Sequence, residues 1–146
     1  MSQVRVARFG ELDAPTLYAL LRLRVDVFVV EQQCPYAELD GRDTEPETEH
    51  AWVESAGSVV GYLRVLQDPD AARIGRVCVA SRARGQGVAE QLMHAALARV
   101  PGPVVLAAQS HLAGWYARLG FLVDGAGFVE DGIPHVPMRL ERPVGA

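Results

Sequence analysis

The sequence contains no lysine and no asparagine, so all 14 of its basic residues are arginines. Schiff-base lysine chemistry is thereby excluded, as is a P-loop ending in Gly-Lys-Ser/Thr, because each needs the missing ammonium group. Without asparagine no N-glycosylation sequon can exist. Cysteine is scarce: Cys34 and Cys78 are too few for a disulfide framework and are not spaced as a zinc site, so no metal is expected. Cys78, inside the apolar Val77-Cys78-Val79, reads as a buried thiol, and Cys34, beside Pro35, as a partly exposed one. No apolar run approaches the roughly 18 residues of a membrane span. Met1 leads straight into the alternating segment Gln3 to Phe9 rather than into a signal-peptide core, so a cytoplasmic location without membrane attachment is the expectation. A net charge of −4 lacks the basic footprint that phosphate-backbone binding demands, so nucleic acid is not an expected partner.

What is present is the composition of a globular chain: 146 residues, 49% hydrophobic and 22% charged, predict a single domain over 1–146. Period-two alternation predicts a strand over Gln3 to Phe9. Asp13 as N-cap, Pro15 in the first turn and Leu17, Leu20, Leu21 and Val25 at helical spacing predict a helix to about Val27. From Cys34 to Glu49 the chain reads as a long acidic loop, with Glu38, Asp40, Asp43, Glu45, Glu47 and Glu49 set against Arg42 alone. Strands are predicted at His50–Glu54, Ser58–Gln67, Ala72–Val79, Val104–Ala108, from Phe121, and at Val136–Leu140, with helices after Gly87 and over Leu112–Leu119. Hairpins together with strand-helix-strand crossovers imply an α/β (α+β) domain with a mixed sheet of about seven strands. Pro137 places the last strand at an edge or on a bulge.

The strongest chemical signal is Val77-Cys78-Val79, followed five residues later by Arg84-Gly85-Gln86-Gly87-Val88-Ala89 at the mouth of a helix. Glycines let backbone amides turn toward an anion, and a helix's first turn adds unpaired N–H groups and a positive dipole end. A diphosphate fits there; so does a plain strand-to-helix turn with no ligand. The dinucleotide fingerprint needs a third glycine three residues after the second, where Glu90 stands, which disfavours a nucleotide-binding protein.

Arg84, Gly87 and Ala89 match the Gln/Arg-x-x-Gly-x-Gly/Ala motif of the GNAT superfamily of N-acetyltransferases, which the sequence resembles. Downstream, Gln109-Ser110-His111-Leu112-Ala113-Gly114-Trp115-Tyr116-Ala117-Arg118-Leu119-Gly120-Phe121 resembles that superfamily's Asn-x-x-Ala-x-x-Leu/Phe-Tyr-x-x-Leu-Gly-Phe segment, with Gln109 in place of asparagine. The stretch Arg24 to Tyr36, with Glu38, Asp40, Gly41 and Asp43 after it, and the late Ile133-Pro134-His135 resemble ElaA-type members.

The resemblance implies a mostly antiparallel sheet flanked by helices, and direct transfer of an acetyl group from acetyl-CoA to a primary amine of a small molecule or peptide. It implies a bulged strand whose Val77 and Val79 backbone holds the pantetheine arm, a diphosphate on the amides of Gly85, Gln86, Gly87, Val88 and Ala89 with Arg84 adding charge, and Gln109 in the same site. Tyr116 resembles the family's acid, since a phenol can protonate or hydrogen-bond a departing thiolate. Glu31 and His50 are candidates for the base, beside the plainer readings of an arginine-paired carboxylate and a satisfied strand-end histidine. Glu38 and Asp40 are either solvated loop charges or a negative field that draws in a cationic acceptor. His111 and His135 carry no assigned role, and oligomeric state stays open, a homodimer being common in the superfamily. The alternative is a non-catalytic acyl-CoA-binding module that keeps the cradle and not the chemistry.

Overall fold

The computed structural model describes residues 3–143. Eight strands form one sheet: β1 (Val4–Arg8), β2 (Glu49–Ser55), β3 (Ser58–Gln67), β4 (Ala72–Val79), β5 (Val104–Gln109), β6 (Leu122–Val123), β7 (Phe128–Glu130) and β8 (Ile133–Leu140). Their order is β1-β2-β3-β4-β5-β8-β6, with β7 also on β8, and the β4–β5 pair alone is parallel. The sheet is therefore mixed and mostly antiparallel, one strand richer than expected because the chain after Phe121 is split between β6 and β7.

Three helices flank it: α1 (Ala14–Val25), α2 (Val88–Arg99) and the short α3 (Ala113–Ala117). Asp13 caps α1 as its sequence predicts, accepting from Thr16 N at 2.8 Å. The helix does not stop near Val27. It widens into a π-helical turn over Asp26–Glu31, where Gln32 N reaches back to Val27 O at 3.3 Å. Val25, Val27, Val29 and Val30 crowd the preceding turn, an effect of β-branching that apolar spacing does not register. The π turn carries Phe28, Glu31 and Gln32 to the site described below.

Helix α2 buries Val88, Leu92, Met93 and Ala96 against the sheet, and its last carbonyls are met by Arg142, which donates from Nη1 to Leu97 O at 2.7 Å and from Nη2 to Val100 O. Closeness of α2 to β3 depends on Gly61: a Cβ there would collide with Val88 Cγ1 and lie 3.1 Å from Leu92 Cδ1. Gly61→Ala is expected to cost about 1–3 kcal/mol by overpacking, seen as a lowered midpoint in urea, with Val88→Ala restoring part of the loss in the double variant.

Pro137 does not sit on an edge strand. β8 lies between β5 and the β6/β7 pair. The Pro137 carbonyl accepts from Asp124 N at 2.8 Å, on the side where the chain passes from β6 to β7. A strand residue directs its N and its O to the same neighbour, so the missing N–H faces that break in the partner ladder and no sheet hydrogen bond is lost.

Candidate active site

β4 and β5 pair only at Ala72↔Val104 and Arg73↔Val105 and then diverge. Part of the cause lies in β4. Between the pairs Arg64↔Gly75 and Tyr62↔Cys78, β3 has Leu63 alone while β4 has both Arg76 and Val77, a bulge with Arg76 at φ +55°. Past the bulge the two strands frame an opening, and two cavities of about 470 and 610 Å³ meet there. They share Phe28, Gln32, Val77, Gln109, Leu112 and Tyr116 as walls.

The larger cavity runs along Val77 and Val79 to the turn before α2, and Arg84, Gly85, Gly87, Val88 and Ala89 line it. Gly85 and Gly87 take φ of +76° and +77°, a left-handed backbone that favours glycine. The N-cap Gly87 gives α2 no side-chain cap, and the N–H groups ahead of Gln91, which itself donates to Gly87 O, have no intrahelical acceptor and suit an anion. Of the residues the sequence assigns to this cradle, Gln86 does not line the cavity, and the others do.

Tyr116 stands on the partition between the cavities, 7% exposed, edge-on to Trp115 at 4.9 Å and to Phe121 at 6.2 Å between ring centroids. Its hydroxyl bonds to none of the described residues. Burial pushes its pKa up to about 12, so the phenol keeps its proton at neutral pH. Gln109 Nε2 donates to Gln32 Oε1 at 3.4 Å beside it, tying β5 to the end of the π turn.

Neither proposed base holds that position. Glu31 borders the larger cavity and is locked to Arg84 by two short bonds, Nη1 to Oε2 at 2.6 Å and Nη2 to Oε1 at 2.8 Å. The Arg84 hydrogen bonds hold its carboxyl below the usual range, the wrong direction for a proton acceptor. His50 is 1% exposed and borders neither cavity. Its Nε2–H donates to Asp43 O at 3.0 Å and its Nδ1 accepts from Tyr62 Oη at 2.5 Å, which uses both nitrogens. A histidine does line the smaller cavity. His135 faces Gln109 across the β5–β8 ladder, stacks on Phe128 at 5.6 Å, and donates from Nδ1 to Ile133 O at 2.7 Å, leaving Nε2 an acceptor.

The acidic loop is not a solvated negative surface. Arg24, 1% exposed, donates from Nε to Glu38 Oε2 and from Nη1 to Asp43 Oδ1, both at 2.7 Å. Arg64 bonds Asp40 and Asp43, and Arg76 bonds Glu38 and Asp40. Glu45, Glu47 and Glu49 pair with Arg42, Arg8 and Arg99. Of the two acids expected to face a cationic acceptor, Glu38 is buried against Arg24 and Arg76, whereas Asp40 is exposed, pairs with Arg64 and Arg76, and borders the smaller cavity. The sequence signal for this network was Arg64, a cation in the otherwise apolar Val59–Leu66. Cys34 also differs from expectation, being buried with its thiol donating to Asp131 O at 3.3 Å, which ties the loop to the β7–β8 turn.

The family model for the acetyltransferase (GNAT) domain matches residues 19–142. The chain belongs to the GNAT family. Its GNAT relatives include protein ElaA of Escherichia coli, 41% identical over 140 residues that span 90% of this chain and 92% of that one. The UPF0039 protein Rv2851c of Mycobacterium tuberculosis is 50% identical over 145 residues, 91% of this chain and 93% of its own. Among GNAT structures, an acyl-CoA N-acyltransferase from Pseudomonas aeruginosa superposes with a TM-score of 0.91 at 41% identity, covering 96% of this chain and 99% of the other. This GNAT chain is thus of the ElaA type, in a fold shared with acyl-CoA-dependent acyltransferases. No helix among the described residues is long and apolar enough to cross a membrane.

Proposed function

We propose that the chain transfers an acetyl group from acetyl-CoA directly to a primary amine. The observation that carries this reading is the place of Tyr116, an unengaged phenol on the wall common to an anion-cradling cavity and a second, polar one. Acetyl-CoA supplies a thioester whose carbonyl carbon forms a bond to nitrogen as its bond to sulfur breaks. The first-turn amides of α2 and of Gly85 and Gly87 receive the diphosphate. The bulge leaves the Val77–Val79 backbone without a partner on β5, and apart from Val79 O, which accepts from Arg84 Nε at 3.1 Å, its groups on that side can bond the pantetheine amides. Tyr116 delivers a proton to the departing sulfur. His135, with Nε2 as its acceptor, takes up the proton that the amine must lose, the role that neither Glu31 nor His50 can fill.

Thermal unfolding with acetyl-CoA, CoA or NAD tests the cradle. A ligand at 100 times its dissociation constant adds about 2.7 kcal/mol, so a clear rise in Tm with both CoA species and none with NAD is expected. Absence of any shift with CoA overturns the reading. A shift without thiol release from any amine supports a non-catalytic acyl-CoA-binding module instead.

A further inference from the structure

Arg64 is 4% exposed, and its Nε is the one buried side-chain nitrogen or oxygen without a hydrogen-bond partner among the described residues. The rest of the guanidinium is engaged: Nη1 donates to Asp40 at 2.9 Å and to Asp43 at 3.1 Å, and Nη2 to Asp40 at 2.5 Å. Proteins seldom leave such a donor unmet. Arg64 lines the smaller cavity, as do Arg73 and Arg76.

The register pairs Arg64 with Gly75 and Leu66 with Arg73, so Arg64 and Arg73 rise from the same face of the sheet. Arg73 is held to Asp68 through Nε alone, which leaves both of its Nη groups. Arg76 spends Nε and Nη2 on Glu38 and Asp40 and keeps Nη1. Across the cavity stand Glu130 and Asp131 on the β7–β8 hairpin, exposed and without ion-pair partners among the described residues. One wall therefore offers guanidinium donors around the Asp40 carboxylate, which also lines the cavity and pairs with Arg64 and Arg76, and the hairpin side carries the unpaired charges of Glu130 and Asp131.

We propose that the acceptor is an amine that also carries a carboxylate. Its carboxylate takes the Arg64 Nε–H and the spare nitrogens of Arg73 and Arg76, and its amino group lies toward Gln109, His135 and Tyr116 at the partition. A carboxylate matches guanidinium donors in plane, whereas an amine lacking one leaves Arg64 Nε and the spare nitrogens of Arg73 and Arg76 unmet. A cavity of about 470 Å³ suits a small molecule of this kind. This inference rests on the acetyltransferase reading for the reaction and on the cavity alone for the binding.

The test compares the common α-amino acids, β-alanine and γ-aminobutyrate, each beside its own primary amide. The readouts are thiol release with acetyl-CoA and calorimetric binding to the CoA-loaded protein. The best acid is expected to exceed its amide by about tenfold or more in kcat/KM, mostly through KM. Arg73→Gln, which touches no member of the buried network around Arg24, is expected to shrink that preference with the KM for acetyl-CoA unchanged. Turnover with equal or better use of the amides overturns the proposal, as does calorimetry that detects no acid more tightly bound than its amide. Should CoA itself fail to bind, the acetyltransferase reading falls, and calorimetry of the same pairs on the protein alone still decides the carboxylate site.

Discussion

Replacing Tyr116 by phenylalanine is expected to lower kcat by about 10²–10⁴-fold, the usual worth of a positioned general acid, with acetyl-CoA affinity nearly unchanged. The change removes one oxygen from a side chain that is otherwise packed edge-on to Trp115 and Phe121. That oxygen bonds to none of the described residues, so no buried partner is orphaned and the melting temperature should hold. An activity loss with Tm and cofactor binding intact can then be read as chemistry alone. Because burial raises the phenol to about 12, Tyr116 stays protonated through pH 9, and no alkaline loss of rate is expected from it below that point. Initial rates of thiol release from both proteins, with calorimetric binding of CoA, make the measurement. A kcat within about threefold of the parent would remove Tyr116 from the chemistry and assign the proton for sulfur to another donor.

Arg24→Met is expected to destabilise the protein by about 3–5 kcal/mol, a large share of the roughly 5–15 kcal/mol that holds a domain folded. The guanidinium joins Glu38 to Asp43 in a volume closed to water, with Tyr62 5.3 Å away beneath the cation. Removing it takes one arginine from each of two buried carboxylates, leaving Glu38 to Arg76 and Asp43 to Arg64, and urea unfolding should show a lower midpoint, while Glu38→Gln and Asp43→Asn added to Arg24→Met should recover part of the loss. The same cluster fixes the response to acid. Burial holds His50 below its ordinary 6.5, so its contribution is complete above that pH and fades as pH falls. The Arg64 hydrogen bond holds Asp40 far below 3.8, and against its own burial the Arg24 bond lowers Asp43 as well. Their contribution is complete above about 3.8 and is lost only in stronger acid. Stability should therefore decline in two stages, and His50→Gln should flatten the upper one. A midpoint for Arg24→Met equal to the parent's would show the network to be dispensable.

The larger cavity's lining was legible because its signals are local in sequence. Val77, Val79, Arg84, Gly85, Gly87 and Tyr116 fall in two short segments where glycine and helix-start signals have direct physical meanings, and the fold brings those segments to one cavity. Gln86 lies in the same turn and does not line that cavity. The acceptor half is long-range. Arg24 meets Asp43 across 19 positions and Arg76 meets Glu38 across 38, so the acids of the loop looked solvated until their partners were in view. His135 could be seen but not placed, since its role depends on the β5–β8 register that sets it opposite Gln109. Pro137 misled for a related reason: its effect depends on which side of the strand its nitrogen faces.

The partition between the cavities divides the chain's freedom to change. The walls of the larger chamber come largely from β4 and the start of α2, whereas the outer reaches of the other chamber belong to the long loop and the β7–β8 hairpin. Descendants of one ancestor could exchange those outer segments and so turn to new acceptors, while Phe28, Gln32, Val77, Gln109, Leu112 and Tyr116 stayed fixed as the hinge of their shared chemistry.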